Sequence, residues 1–222
     1  VDEDGATPGF LSHAFTDLMA SLAVIFILLS VVFINNASKK RENDKELIKS
    51  SLSEVLEKNK LPLRQDPNDP LVLAVSVSED VLKFPLNGAA LSPAAAKFVD
   101  QFAPALTEQL CADSIRSKVD AIIIEGHTDR SGESGPEGTR RNIRLSQNRS
   151  FAVLERALQA VQNDPAMSEC LLKLASATGR GSGVPIEVNG EYSAEQSRRV
   201  EIKIRVKSSE TNAPKPFRKS GA

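Results

Sequence analysis

The order of apolar and polar positions divides the chain into three unlike stretches. The first runs from Phe10 to Ile34 and is built of Leu, Ile, Val, Phe and Ala, with Ser12, His13, Thr16 and Asp17 interrupting its start. Between Asp17 and Lys39 lie 21 residues without a charge. As a helix rising about 1.5 Å per residue, such a run spans roughly 37 Å, enough to cross ~30 Å of hydrocarbon with some tilt. One membrane-spanning helix is therefore predicted over residues 10–36. A cleaved signal peptide is the rival, but it needs a basic leader and a small-x-small cleavage site. Asp2, Glu3 and Asp4 carry the wrong charge, and Asn35-Asn36-Ala37 is a poor site. Residues 1–9, acidic and closed by Pro8-Gly9, are predicted as a tail.

The second stretch, residues 37–70, is a charged linker. Ile48, Leu52, Val55 and Leu56 recur at helical spacing and predict an amphipathic helix of two or three turns. Its stripe could pair with a copy of itself, lie on a membrane surface, or edge a solvated stalk. Leu61-Pro62 and Asp66-Pro67-Asn68-Asp69-Pro70 break the helix, and the domain boundary is placed there.

The third stretch, residues 71–206, alternates between strand and helix patterns. Leu71 to Val77 reads as a strand, with Val81 to Phe84 continuing the strand region after a turn. Ser92-Pro93 has the form of a helix start, followed by Phe98, Phe102, Leu106 and Leu110 at every fourth position. Ala121 to Glu125 predicts a buried strand ending at Gly126-His127-Thr128-Asp129. A loop with Gly132, Gly135, Pro136 and Gly138 leads to a helix from about Asn142 to Val161. Asn163-Asp164-Pro165 is a turn before a short helix, Leu172 to Ala177 a strand candidate, and Gly179 to Pro185 a loop. Val200 to Val206 alternates strictly, as a half-buried last strand does. The fold class is an α+β or αβ sandwich, βαβαββ in order with a mixed sheet, behind one transmembrane helix and a short amphipathic linker helix. Residues 207–222 are predicted to be a disordered tail.

Charge narrows the function. With 28 Lys+Arg against 29 Asp+Glu the net charge is −1, too balanced for a protein that coats nucleic acid. Two Cys and two His make no Cys/His zinc site, so neither a metal nor a cofactor is expected. Cys111 and Cys170 could close one loop of about 60 residues, worth roughly 4 kcal/mol in the chain-entropy model, or stay as separate buried thiols.

Three features bear on chemistry. Asp17 lies inside an apolar run, where a carboxylate costs about 2.5–3.5 kcal/mol at mid-bilayer and is usually kept for ion handling, pairing or a polar lumen. Small Ala20 and Ser21 share its face and leave room for a partner helix or water; alternatively Thr16 or Asp17 caps a helix starting there. Gly126 to Asp129 ends a strand, a place suited to a ligand site, but no Gly-Lys-Ser/Thr follows to cradle phosphate. His127 could be a strand-end hydrogen-bonder or, with Asp129, a general acid and base. Since no Gly-x-Ser-x-Gly elbow or carboxylate pair accompanies it, the chain is not expected to be an enzyme.

Gly126-His127-Thr128-Asp129, then Asn142, Leu145-Ser146 and Arg149, then Arg198-Arg199-Val200-Glu201-Ile202, resemble the OmpA-like peptidoglycan-binding domain in motif and order. The resemblance implies that Asp129 accepts from the ammonium of a diaminopimelate side chain and Arg149 holds its carboxylate. Asn142 with Arg198 or Arg199 would shape that pocket. Ser197 departs from the Asn common in the family, and the loop from Asp129 to Asn142 is longer. Together with the single span and its aspartate, this arrangement resembles the MotB family of ion-driven stator subunits, and Asp17-Leu18-Met19 and the compact linker most resemble the ZorB subunits of Zorya anti-phage systems. The resemblance implies that Asp17 carries the ion, a proton in the first instance. It also implies a homodimer of this chain surrounded by a MotA/ZorA-like membrane subunit, a pentamer by expectation, and a peptidoglycan stem peptide as ligand. It places a single-pass protein in the bacterial inner membrane with its C-terminal domain in the periplasm, where a Cys111–Cys170 bridge is favoured. Lys39, Lys40 and Arg41 after the span point the other way under the positive-inside rule, but orientation also depends on partners, and a wall-binding domain must lie outside. A flagellar stator subunit and a non-motor tether to the wall are the alternatives.

Overall fold

The computed structural model describes residues 8–131 and 135–208. Residues 1–7 of the first predicted tail, 209–222 of the last, and Gly132 of the predicted loop lie outside the described residues. The chain divides into two units, residues 1–42 and 43–222.

Helix α1 (Pro8–Lys58) contributes to both units. No Gly or Pro occurs between Gly9 and Pro62, so nothing in the sequence breaks the backbone ladder across Asn35-Asn36. In the first unit every large apolar side chain from Phe15 to Ile34 is more than half exposed. Among the described residues this is the one helix long and apolar enough to cross a membrane.

The second unit begins with the rest of α1. Ile48 and Leu52 are fully buried and Leu56 nearly so, within the same core as the sheet. The amphipathic stripe is thus taken up by its own domain. The helix stops in a turn in which Leu61 N–H donates to Leu56 O (2.9 Å), and Lys60 adopts φ +54°.

Strands β1 (Leu63–Gln65), β2 (Val72–Ser78), β3 (Val119–His127), β4 (Ala175–Gly179) and β7 (Arg199–Val206) form one mixed sheet in the order β1-β2-β7-β3-β4. β3 and β4 run parallel; the other pairs are antiparallel. A separate hairpin pairs β5 (Ile186–Val188) with β6 (Glu191–Ser193). One sheet face, with Leu73, Val75, Ile122, Ile124, Val200 and Ile202, joins α2 (Pro93–Cys111) and α4 (Gly135–Val161) in the core. Short helices α3 (Asp113–Arg116), α5 (Pro165–Leu174) and α6 (Ala194–Ser197) complete the unit.

Local signals account for the starts of two helices. Ser92 caps α2 by accepting from Ala95 N–H, and Asp164 caps α5 by accepting from Met167 N–H (2.9 Å), each followed by proline in the first turn. Cys111, the last residue of α2, is disulfide-bonded to Cys170 of α5, with Cα atoms 6.2 Å apart.

The structure departs from the sequence reading in several places. Val81 to Phe84 is not a strand; it belongs to a connection in which Leu82 turns inward and is buried. The Gly/Pro-rich segment read as loop is helical from Gly135 onward, because proline is tolerated in a helix's first turn and Gly135 takes φ +84° before it. Leu172 to Leu174 finish α5, so the following strand starts at Ala175. β1 and the β5–β6 hairpin are too short to show a periodicity.

Two glycines let α4 lie directly on the sheet. A Cβ on Gly126 would stand 2.1 Å from the Ser146 carbonyl oxygen, and one on Gly179 would stand 2.4 Å from the Gln147 nitrogen. The Ser146 hydroxyl also accepts from Gly181 N–H (2.8 Å). This contact brings the next turn of α4, and with it Arg149, to the ends of the strands.

Candidate functional site

Asp129 follows the end of β3. Its backbone neighbours are fixed by Thr128 N–H donating to Gly181 O (2.9 Å) and Arg130 N–H donating to the Tyr192 hydroxyl (2.7 Å). One carboxylate oxygen, Oδ1, accepts from Ser131 N–H (3.0 Å) and from its hydroxyl. The other, Oδ2, accepts from Arg198 Nη1 at 2.7 Å. Arg198 also donates through Nε to Glu79 Oε2. Glu79 in turn lies with its other oxygen, Oε1, 3.4 Å from Arg149 Nη1.

Arg149 is buried, and its guanidinium is held from several sides. Nε donates to Gly88 O (3.0 Å), Nη2 reaches Pro85 O (3.5 Å), and the group stacks 4.9 Å over the Phe84 ring. Asp129, Arg198, Glu79 and Arg149 therefore form a chain of alternating charge between the strand ends, the 79–88 connection and α4. Burial alone would raise the Asp129 carboxyl, but Ser131 and Arg198 outweigh it and hold the pKa below the ordinary value. Arg149 is shifted down by burial, which Glu79 and Asp129 oppose. Arg198 is shifted up, chiefly by its hydrogen bond to Asp129.

The other residues singled out by sequence stand apart. Asn142 is half-buried on α4 with its backbone beside Gly181, and no hydrogen bond joins it to the charged chain among the described residues. Arg199 is buried and engaged elsewhere, donating to Glu201 Oε1 (2.7 Å), Val184 O (3.2 Å) and Ser197 O (3.3 Å). Ser197 has a backbone role, its hydroxyl donating to Ser193 O (2.6 Å) and accepting from Ile186 N–H (3.0 Å). Sequence reasoning missed Glu79. It stands beside Asp80 just past a strand, and only the register that pairs Ser78 with Arg199 puts it next to Arg198.

A second polar cluster lies on the sheet face away from α2 and α4. Glu125 and Glu201 sit directly opposite each other on β3 and β7. The fully buried His127 has Nε2 at 3.2 Å from Glu125 and 3.7 Å from Glu201, with no well-aligned hydrogen bond to either ring nitrogen. Their donor atoms lie within 4.8 Å of one another, the spacing a metal would need. Lys203 already brings an ammonium to 2.7 Å from Glu125 and 3.5 Å from Glu201, with Asp66 at 3.0 Å on its other side. The like charges are thus compensated from within the chain. Burial would raise both carboxyls, yet His127 with Lys203 for Glu125, and His127 with Arg199 for Glu201, lower each to about 2.

Asp17 lies on the exposed surface of α1 in the first unit, and Ser21 donates its hydroxyl to the Asp17 carbonyl (2.8 Å). A serine bonded this way adds no unsatisfied hydroxyl to an apolar surface.

No family model matches the chain. It is 27% identical over 202 residues to the Zorya protein ZorB of Escherichia coli, with 85% of each chain covered. Among solved structures, a MotB-like protein of Desulfovibrio vulgaris superposes with a TM-score of 0.50 at 22% identity, covering 76% of this chain and 96% of that one. The chain is therefore similar to ZorB along most of its length, and its mixed-sheet domain has the OmpA-like fold of MotB-like proteins.

Proposed function

We propose that this chain is the B subunit of an ion-driven membrane motor anchored to peptidoglycan, with a role in anti-phage defence like that of ZorB. The observation that carries the reading is the combination in one chain of an exposed, all-round apolar stretch of α1 from Phe15 to Ile34 with one carboxylate, Asp17, and a domain that gathers Asp129 and Arg149 in one charged chain. Apolar surface of that extent calls for lipid or partner helices around it. A carboxylate within it is suited to taking up and releasing a proton as a MotA/ZorA-like subunit moves past. The domain would lie in the periplasm. There Asp129 and Arg149 supply the opposite charges that an ammonium and a carboxylate of a diaminopimelate stem peptide need, Arg149 through its planar fork. Two copies of the chain, with the A subunits around them, would make the working unit, and no catalysis is required of it.

The test is Asp17→Asn beside Asp129→Ala and Arg149→Ala in cells carrying the neighbouring genes, scored for phage resistance and motility, with membrane levels checked. Asp17→Asn is expected to abolish phage resistance while wall binding persists. Loss of motility instead would assign the chain to a flagellar stator. A silent Asp17→Asn beside loss of function in Asp129→Ala and Arg149→Ala would leave a tether.

A further inference from the structure

The wall site described above is closed by its own residues. Asp129 is engaged by Arg198, and Arg149 by Glu79 and the Pro85 and Gly88 carbonyls, so neither is free to receive a ligand as it stands. The atoms used are separate. Arg198 contacts Asp129 through Nη1 and Glu79 through Nε; Glu79 contacts Arg149 through Oε1 and Arg198 through Oε2. The two outer contacts can therefore break while the central Arg198–Glu79 pair stays whole.

We infer that Glu79 and Arg198 are specificity-determining residues that stand in for the two charges of the ligand. This rests on the wall-binding reading of Asp129 and Arg149. An entering ammonium replaces Arg198 Nη1 on Asp129, and an entering carboxylate replaces Glu79 Oε1 on Arg149. The released atoms belong to two partly exposed residues that remain paired with each other, so no charge is left without a partner. A ligand end carrying both charges thus exchanges two internal ion pairs for two new ones. A ligand with one charge can open only one end of the chain and gains only one contact. Selection for a zwitterionic end follows from the exchange, beyond what Asp129 and Arg149 alone would provide.

The exchange sets the sign of each substitution. Glu79→Gln keeps the side chain's shape and an oxygen for Arg198, but weakens the hold on Arg149. Glu79→Gln/Arg198→Gln removes both stand-ins and no net charge. The full chain in nanodiscs would be titrated calorimetrically with a soluble diaminopimelate-containing muropeptide and with the same peptide N-acetylated on the diaminopimelate amine, and each variant's thermal midpoint recorded. Glu79→Gln is expected to bind the acetylated, carboxylate-only peptide roughly three- to tenfold more tightly than the unaltered chain. The double variant is expected to bind the native peptide more tightly by a similar factor and to discriminate less between the two. Unchanged or weaker binding in folded Glu79→Gln overturns the stand-in role, and so does unaltered discrimination in the double variant. Asp129→Asn and Arg149→Gln separate the two levels: if they leave native binding intact, the wall-site reading itself falls, whereas if they abolish it and the stand-in variants gain nothing, only the exchange falls.

Discussion

The two ends of α1 are both rich in apolar residues, and the fold treats them oppositely. From Phe15 to Ile34 every large apolar side chain is more than half exposed, whereas Ile48, Leu52 and Leu56 are 0%, 0% and 4% exposed. The difference lies in what surrounds the apolar positions. Around Ile48 to Leu56, charged and small polar residues occupy the other faces, leaving one stripe that a single neighbouring layer can cover. From Leu18 to Ile34 apolar residues occur all round, and covering them takes an apolar medium or several partner helices. Apolar content alone thus separates neither kind of burial; the presence or absence of charge between the apolar positions does.

The largest effect expected is from Leu52→Asp, which puts an unpaired carboxylate in a fully buried position. It should unfold the second unit, read as loss of slow amide exchange across β2, β3 and β7, while α1 still enters the membrane fraction. Leu52→Ala should cost about 2–5 kcal/mol by leaving a cavity. Retained exchange protection in Leu52→Asp would mean that the stripe is not part of the core. Reduction of the Cys111–Cys170 bridge, which closes a separation of 59 residues, is next. The chain-entropy model gives about 4 kcal/mol, and native-state effects commonly lower it. The denaturation midpoint of the second unit should fall on adding reductant, and Cys111→Ala/Cys170→Ala should reproduce the fall.

The domain's main elements were legible because their signals are local and periodic. Ser92-Pro93 and Asp164-Pro165 mark helix starts, and the alternation from Val200 to Val206 appears in burial as well as in sequence. Asp129, Arg149 and Arg198 were singled out by motif order; Asp129 and Arg198 touch, and Arg149 joins them only through Glu79. Glu79 was not, because its role depends on strand register and on a side chain reaching across two elements. The fate of the Ile48 to Leu56 stripe was open for the same reason: periodicity reveals a face that must be covered, and only the tertiary fold says by what. Arg199, one residue from Arg198, opens β7 opposite His127 and turns to Glu201 instead, a partner that only the strand register reveals.

Acid should sharpen the contrast between the two ends of α1 by a smaller amount. Glu125 and Glu201 have folded-state values near 2 against an ordinary 4.5, so each contributes stability above about pH 4.5 that is lost as pH falls toward 2. Asp129, also lowered, acts in the same direction. The second unit's midpoint should therefore drop across that window, and Glu125→Gln should shrink the drop. A midpoint that is flat from pH 5 to 2 would count against the carboxylate cluster as a stabilising feature.

The smallest effect is the one that defines the other side of the comparison. Leu22 is 66% exposed, so Leu22→Ala leaves no cavity within the chain and should change the second unit's stability by less than about 0.5 kcal/mol. The same substitution at Leu52 is expected to cost several times more, although both positions lie on one helix. Circular dichroism melts of the full chain in nanodiscs, with the two substitutions made singly, read this difference directly. If Leu22→Ala were as costly as Leu52→Ala, the exposed half of α1 would be packed against protein on which the second unit depends. If it is silent there but lowers recovery of a complex with an A subunit, its apolar surface is shared between chains, as a motor subunit requires.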